Sequence, residues 1–280
     1  MQIILAVLLF TLSVSLLVAV RKRYISGETL KKWAGVAAIV SAIVATITLL
    51  INLPHPDRKN PIPKDIQSFV EPQMIAIPAG DFLVGSSEIE NALPAGKQYL
   101  DKCFVAKFEV TNEEYKYFLL ASPQRPVPAY WDEKKFNVAN QPVVGVSWFD
   151  AIDYCNWLSQ KTGKTYRLPT ELQWEKAARG THGKIYPWGD SEPNLKRANF
   201  SQPYGKPMRV DSYPAGMNTD YGTMNMAGNV AEWCYDSNGQ PVVRGGSWRD
   251  NAELLRCASR VIFDPSVKRE NIGFRVVLIP

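Results

Sequence analysis

The side chains able to do chemistry in this 280-residue chain gather in its last third, and they are arginines, carboxylates and cysteines far more than histidines. Arg244, Arg256, Arg260 and Arg275 recur over a short stretch. Brought together, their planar guanidinium forks would line a cleft for an anion or an acidic face of a partner. The more frequent use of such residues is burial against Glu171, Glu175 or Glu232, which makes them core ion pairs. There are four cysteines, Cys103, Cys155, Cys234 and Cys257. An even number in a domain outside the cytoplasm favours disulfides, and Cys234 with Cys257 is the expected pair. Free buried thiols are the alternative. The only two histidines are His55 and His182, so neither a three-histidine metal site nor a Ser-His-Asp arrangement is available beyond what His182 alone could serve.

The elements that must position these residues are legible in outline. Met74 to Gly85 alternates apolar segments around Pro-Ala-Gly and predicts a β-hairpin, and Phe104 to Val110 predicts a strand. Three helix starts follow. Thr111 with Glu114, Ser147 with Asp150 and Thr170 with Gln173 each have the spacing of a capping box. The second helix places Ala151, Ile152, Cys155 and Leu158 on one face and stops at Gly163; the third stops at Gly180. From Gly180 to Pro241 the chain is rich in Gly, Pro, Asn, Asp and Tyr and shows little periodicity, which predicts long functional loops. Two adjacent glycines in Arg244-Gly-Gly-Ser-Trp248 predict a tight turn over a buried Trp248.

Four C-terminal blocks, Asn225-Met-Ala-Gly-Asn-Val-Ala-Glu-Trp233, Arg244-Gly-Gly-Ser-Trp248, Arg256-Cys-Ala-Ser-Arg260 and Asn271-Ile-Gly-Phe-Arg275, keep a fixed order. With Arg167-Leu-Pro-Thr-Glu-Leu-Gln-Trp-Glu175 and Pro187-Trp-Gly189, they resemble the formylglycine-generating enzyme, or sulfatase-modifying factor, family over residues 74–280. The resemblance implies an α+β fold of C-type-lectin-like kind with much irregular loop. It also implies a calcium site from side-chain oxygens of Asn225 and Glu232 and backbone carbonyls of Gly228 and Val230, hard ligands suited to that cation. The family's second calcium site would start at Asn199 and Phe200, whose downstream acidic ligand has no clear counterpart here. The family's oxidase binds copper through two thiolates just after its Gly-Gly-Ser-aromatic motif, whereas residues 249–255 here read Arg-Asp-Asn-Ala-Glu-Leu-Leu. Without soft thiolate ligands the copper chemistry is not expected, and neither is an iron site.

Residues 1–20 and 33–53 are apolar runs long enough to span a hydrocarbon core of roughly 30 Å. The loop at 21–32 carries five basic residues and one acidic, which expects a cytoplasmic turn between two transmembrane helices and places everything beyond Pro54 on the periplasmic or extracellular side of an inner membrane. Four prolines within residues 54–64 predict a stiff spacer inside the 54–73 linker. Those five basic residues and one acidic are also the only charges before Pro54, so of the 32 basic and 27 acidic residues the remainder holds 27 and 26. The net charge of +5 is therefore a topology signal, and nucleic acid is not an expected partner. The combined expectation is a membrane-anchored, non-catalytic accessory or binding module of a membrane complex with a protein partner. A non-standard protein-maturation enzyme is the alternative.

Overall fold

Capping chemistry and short apolar strands, more than long periodic segments, build this domain. Strands β1 (Met74–Ile77), β2 (Gly80–Val84), β3 (Gly96–Leu100) and β4 (Cys103–Ala106) precede helices α1 (Asn112–Ala121) and α2 (Trp148–Thr162). Then come β5 (Thr165–Arg167), α3 (Glu171–Arg179), β6 (Ala231–Tyr235), β7 (Pro241–Arg244), β8 (Arg260–Ile262), β9 (Ile272–Gly273) and β10 (Val277–Ile279). The computed structural model describes residues 69–280. Both apolar runs, the basic loop and all of the linker before Phe69 lie outside the described residues. Among the described residues no helix is long and apolar enough to cross a membrane.

All three helices begin at complete capping boxes: the Thr111, Ser147 and Thr170 hydroxyls each accept from the N3 amide while Glu114, Asp150 and Gln173 reach back. Helix α2 ends at Gly163 in the left-handed region, φ 71°, which glycine adopts without strain. The predicted hairpin at Met74–Gly85 does not form. Strand β1 pairs antiparallel with β4, while β2 pairs with β3 in a separate ribbon. Pro78 cannot donate to a ladder and Gly80 turns at φ 135°, so the chain leaves one sheet for another at this point.

Two four-stranded sheets carry the core, in the orders β1-β4-β10-β5 and β8-β7-β6-β9. Strand β6 lies inside the stretch that predicted only loop, and it is central to its sheet. Its alternation splits the core. Ala231 and Trp233 face a cluster with Tyr115, Phe118, Tyr154 and Phe274, whereas Cys234 faces Trp174, Val105 and Val277 on the other side. Glu232 points the same way as Cys234, into the layer between sheet and α3, where a charge needs partners.

Candidate functional site

The partner of Glu232 is Arg275, and both are fully buried. Arg275 Nε and Nη2 meet Glu232 Oε2 and Oε1, each at 2.6 Å, and the Trp174 indole donates to Oε2 at 2.7 Å. The same guanidinium donates to the carbonyls of Ala106, Lys107 and Met224 at 2.9, 3.1 and 2.8 Å. One side chain thus ties β4, β6 and the loop before β6 together. A second buried carboxylate, Glu109, stands beside this pair and takes one amide from each of two asparagines, Asn225 Nδ2 to Oε2 at 2.9 Å and Asn229 Nδ2 to Oε1 at 2.8 Å. Asn225 and Asn229 sit at φ 54° and 65°, left-handed positions that asparagine tolerates better than most side chains.

Burial pushes the Glu109 carboxyl up to about 7, against the pull of Arg275 and with the repulsion of Glu232 added. The folded value lies above the ordinary 4.5, so its contribution is fully present below pH 4.5 and is lost as pH rises toward 7. Glu109→Gln should erase this loss: in urea unfolding at pH 5 and pH 8, the variant should gain on the wild type at the higher pH. A stability gap independent of pH would rule out this role for Glu109.

The expected calcium ligands occupy the same neighbourhood. Gly228 turns at φ 80°, and a Cβ there would lie 2.5 Å from the Asn199 carbonyl oxygen, so the turn requires glycine. Val230 packs with Phe136, Val144 and Trp248. Among the described residues, no group of three or more His, Cys, Asp or Glu converges as a metal cluster. The buried Oδ1 of Asn199 lacks a hydrogen-bond partner.

The four arginines do not converge on one cleft, and three of them hold carboxylates. Arg244 reaches Glu175 through Nη2 and Glu171 through Nη1 at 3.5 Å, with its guanidinium 5.5 Å from the Trp174 ring. Arg179 holds the other Glu175 oxygen at 2.8 Å. Arg260 binds Glu171 at 2.8 and 3.2 Å, and Arg256 sits beside Tyr186. Arg244 and Arg275 are 1 % and 0 % exposed, so neither can meet a ligand from solvent. Carboxylates on α3 and β6 draw them inward, as the more frequent use of such residues expects. The expected Cys234–Cys257 disulfide is likewise not formed. Both are free buried thiols in one apolar cluster with Cys103, and burial pushes Cys257 up to about 12. Cys155 is the fourth free thiol, in the other cluster.

The open surface lies along β8, an edge strand. A cavity of about 140 Å³ beneath Gly245 and Gly246 is lined by Ala231, Asp250, Arg260, Arg269 and Asn271. A second hollow of about 410 Å³ is lined by Ile89, Glu90, Asn91 and Ile262. Leu254, Ser259, Arg260 and Val261 line both, so the two form one cleft along the strand. Its wall is the segment after Trp248. Asn251 caps a 3-10 turn at Ala252–Leu255, and the Ser247 hydroxyl, wholly buried, donates to Asp250 at 2.5 Å and accepts from Asn271 at 2.9 Å. Glu109, Asn229, Asp250 and Arg269 escaped the reading of the sequence. For Glu109 a signal existed, a lone acid between Phe108 and Val110 in an apolar run.

A mixed helix and strand fold whose small sheets are locked by buried Arg–Glu pairs and whose surface is irregular loop defines a formylglycine-generating-enzyme-like domain. The sulfatase-modifying factor enzyme 1-like domain matches residues 59–279, and the chain belongs to that family. It is 31 % identical over 258 residues to serine/threonine-protein kinase pkn1 of Chlamydia pneumoniae, covering 78 % of this chain and 39 % of that protein. The chain therefore spans well under two thirds of that relative's length. It is 30 % identical over 275 residues to inactive C-alpha-formylglycine-generating enzyme 2 of Mus musculus, covering 73 % and 85 %. PvdO from Pseudomonas aeruginosa has a similar structure, with a TM-score of 0.61 at 25 % identity over 74 % of this chain and 94 % of that one.

Proposed function

We propose that this chain presents its domain as a non-catalytic binding module, held by its two N-terminal apolar runs at a membrane and facing the periplasmic or extracellular side. The observation that carries this reading is the cleft along β8: an open strand edge with apolar lining at Ile89 and Ile262, and polar groups at Arg260, Arg269 and Asn271. Such a mix of strand edge and pockets suits an extended segment of a protein partner. A catalytic reading has less support, because residues 249–255 hold no cysteine and the Ser247 hydroxyl is buried and engaged. The name of the similar mouse protein, an inactive formylglycine-generating enzyme, agrees with this direction.

The test is a photo-crosslinking amino acid at Ile262, 66 % exposed at the cleft, compared with one at Leu195, 48 % exposed elsewhere. In native membranes a discrete adduct is expected at Ile262 only, and Glu90→Trp on the cleft rim should suppress it. Equal labelling at both positions, or an adduct indifferent to Glu90→Trp, would defeat the proposal.

Calcium belongs to this reading as a stabiliser of the loop through Asn225, Gly228, Val230 and Glu232. Glu109 and Glu232 share one guanidinium, leaving one uncompensated negative charge in the core when both are ionised, and a bound cation would offset it. Millimolar calcium should raise the melting temperature at pH 8 in the wild type and not in Glu109→Gln; an equal rise in both would remove calcium from the account.

A further inference from the structure

A separate cavity of about 300 Å³ lies between α2, β5 and the end of β6, and it shares no lining residue with the β8 cleft. Its walls are largely apolar, from Trp148, Ile152, Leu168 and the rings of Tyr166 and Tyr235. Arg167 is the one cation among its lining residues. This arginine differs from its neighbours in the core. Arg244, Arg260 and Arg275 each hold a carboxylate, whereas Arg167 enters no ion pair among the described residues. Its Nη1 donates to the Tyr235 hydroxyl, and its guanidinium lies 5.8 Å from the same ring.

A guanidinium without a carboxylate of its own, at the wall of an open cavity, has its fork free for an anion, and a carboxylate is the group whose geometry fits it best. Apolar walls beside it select what else the ligand carries. A pocket of this kind, apolar with one convergent charge, fixes a ligand by burying its hydrophobic part and orienting its polar end. We propose that this cavity binds an amphipathic carboxylate, its apolar group between Trp148, Ile152 and Leu168 and its carboxylate on Arg167. Asn156, exposed at the rim, supplies a further polar group to such a ligand. Two sources share this chemistry: a free aromatic or branched aliphatic acid, and the C-terminal residue of a peptide. The proposal is independent of the β8 reading, since either site can fail without the other.

The test is a ligand-observed NMR titration of the full 280-residue chain with 3-phenylpropionate and with the uncharged 3-phenylpropanamide. The acid should bind at least about tenfold more tightly, the factor set by one charge-assisted pair. Arg167→Met should bind both probes at the level of the amide, and Ile152→Trp, which fills the cavity, should bind neither. Equal binding of acid and amide by the wild type, no binding of either, or a preference kept in Arg167→Met would each overturn the proposal. If Arg167→Met does not fold by circular dichroism, the wild-type preference and its loss in Ile152→Trp still decide. Acetyl-Ala-Phe with a free or an amidated C-terminus distinguishes the sources: tighter binding of the free-carboxyl dipeptide than of 3-phenylpropionate assigns a peptide terminus, and the reverse order assigns a free acid.

Discussion

Arg275→Met should be among the most damaging single substitutions in this domain, lowering stability by about 3–5 kcal/mol. The side chain is fully buried, so nothing from solvent can replace it. Its loss removes both 2.6 Å contacts to Glu232 and frees three carbonyls, at Ala106, Lys107 and Met224. It also leaves Glu232 and Glu109 as two buried carboxylates with no cation between them, and Glu109 already has its carboxyl pushed up by burial. Arg275→Lys keeps the charge but lacks the fork that serves two carboxylate oxygens and three carbonyls at once, so it should recover only part of the loss. Urea unfolding at neutral pH measures both. An Arg275→Met protein within about 1 kcal/mol of the wild type would mean that the buried pair contributes far less than its geometry implies.

What the sequence disclosed, and what it hid, follows the range of the interactions concerned. Helix starts were legible because a capping box is local: Thr111 with Glu114, Ser147 with Asp150 and Thr170 with Gln173 each lie three residues apart. Strand β6 was hidden because Ala231–Tyr235 is buried on both faces and carries a charge, Glu232, at its second position, so it shows no simple alternation. The hairpin expected at Met74–Gly85 failed for a similar reason, since the partner of β1 is β4, across an intervening ribbon. At the site, the roles of Arg244 and Arg275 depend on carboxylates 69 and 43 residues away, so composition could favour core pairing without assigning each arginine its carboxylate. Glu109 meets Asn225 and Asn229 over 116 and 120 residues, a separation at which no spacing rule operates. The β8 cleft was unreadable for another reason: it is made by Ile89 and Glu90 meeting a strand near the far end of the chain.

Trp174 carries the second large expected effect, and two substitutions there separate packing from polar satisfaction. The indole is wholly buried in the cluster with Ile77, Val105, Met226 and Val277, and its Nε1 supplies one of the donors to Glu232. Its fit also dictates a neighbour: a Cβ on Gly245, at φ 89°, would lie 2.9 Å from the ring. Trp174→Ala should cost about 3–5 kcal/mol through lost burial and the cavity left behind. Trp174→Phe keeps most of the volume but withdraws the donor, and should cost about 1–3 kcal/mol, the range for leaving a buried acceptor short of a partner. Denaturant titration reads both costs. If Trp174→Phe proves as costly as Trp174→Ala, shape complementarity against Gly245 and Arg244 governs this position, and the indole hydrogen bond contributes little.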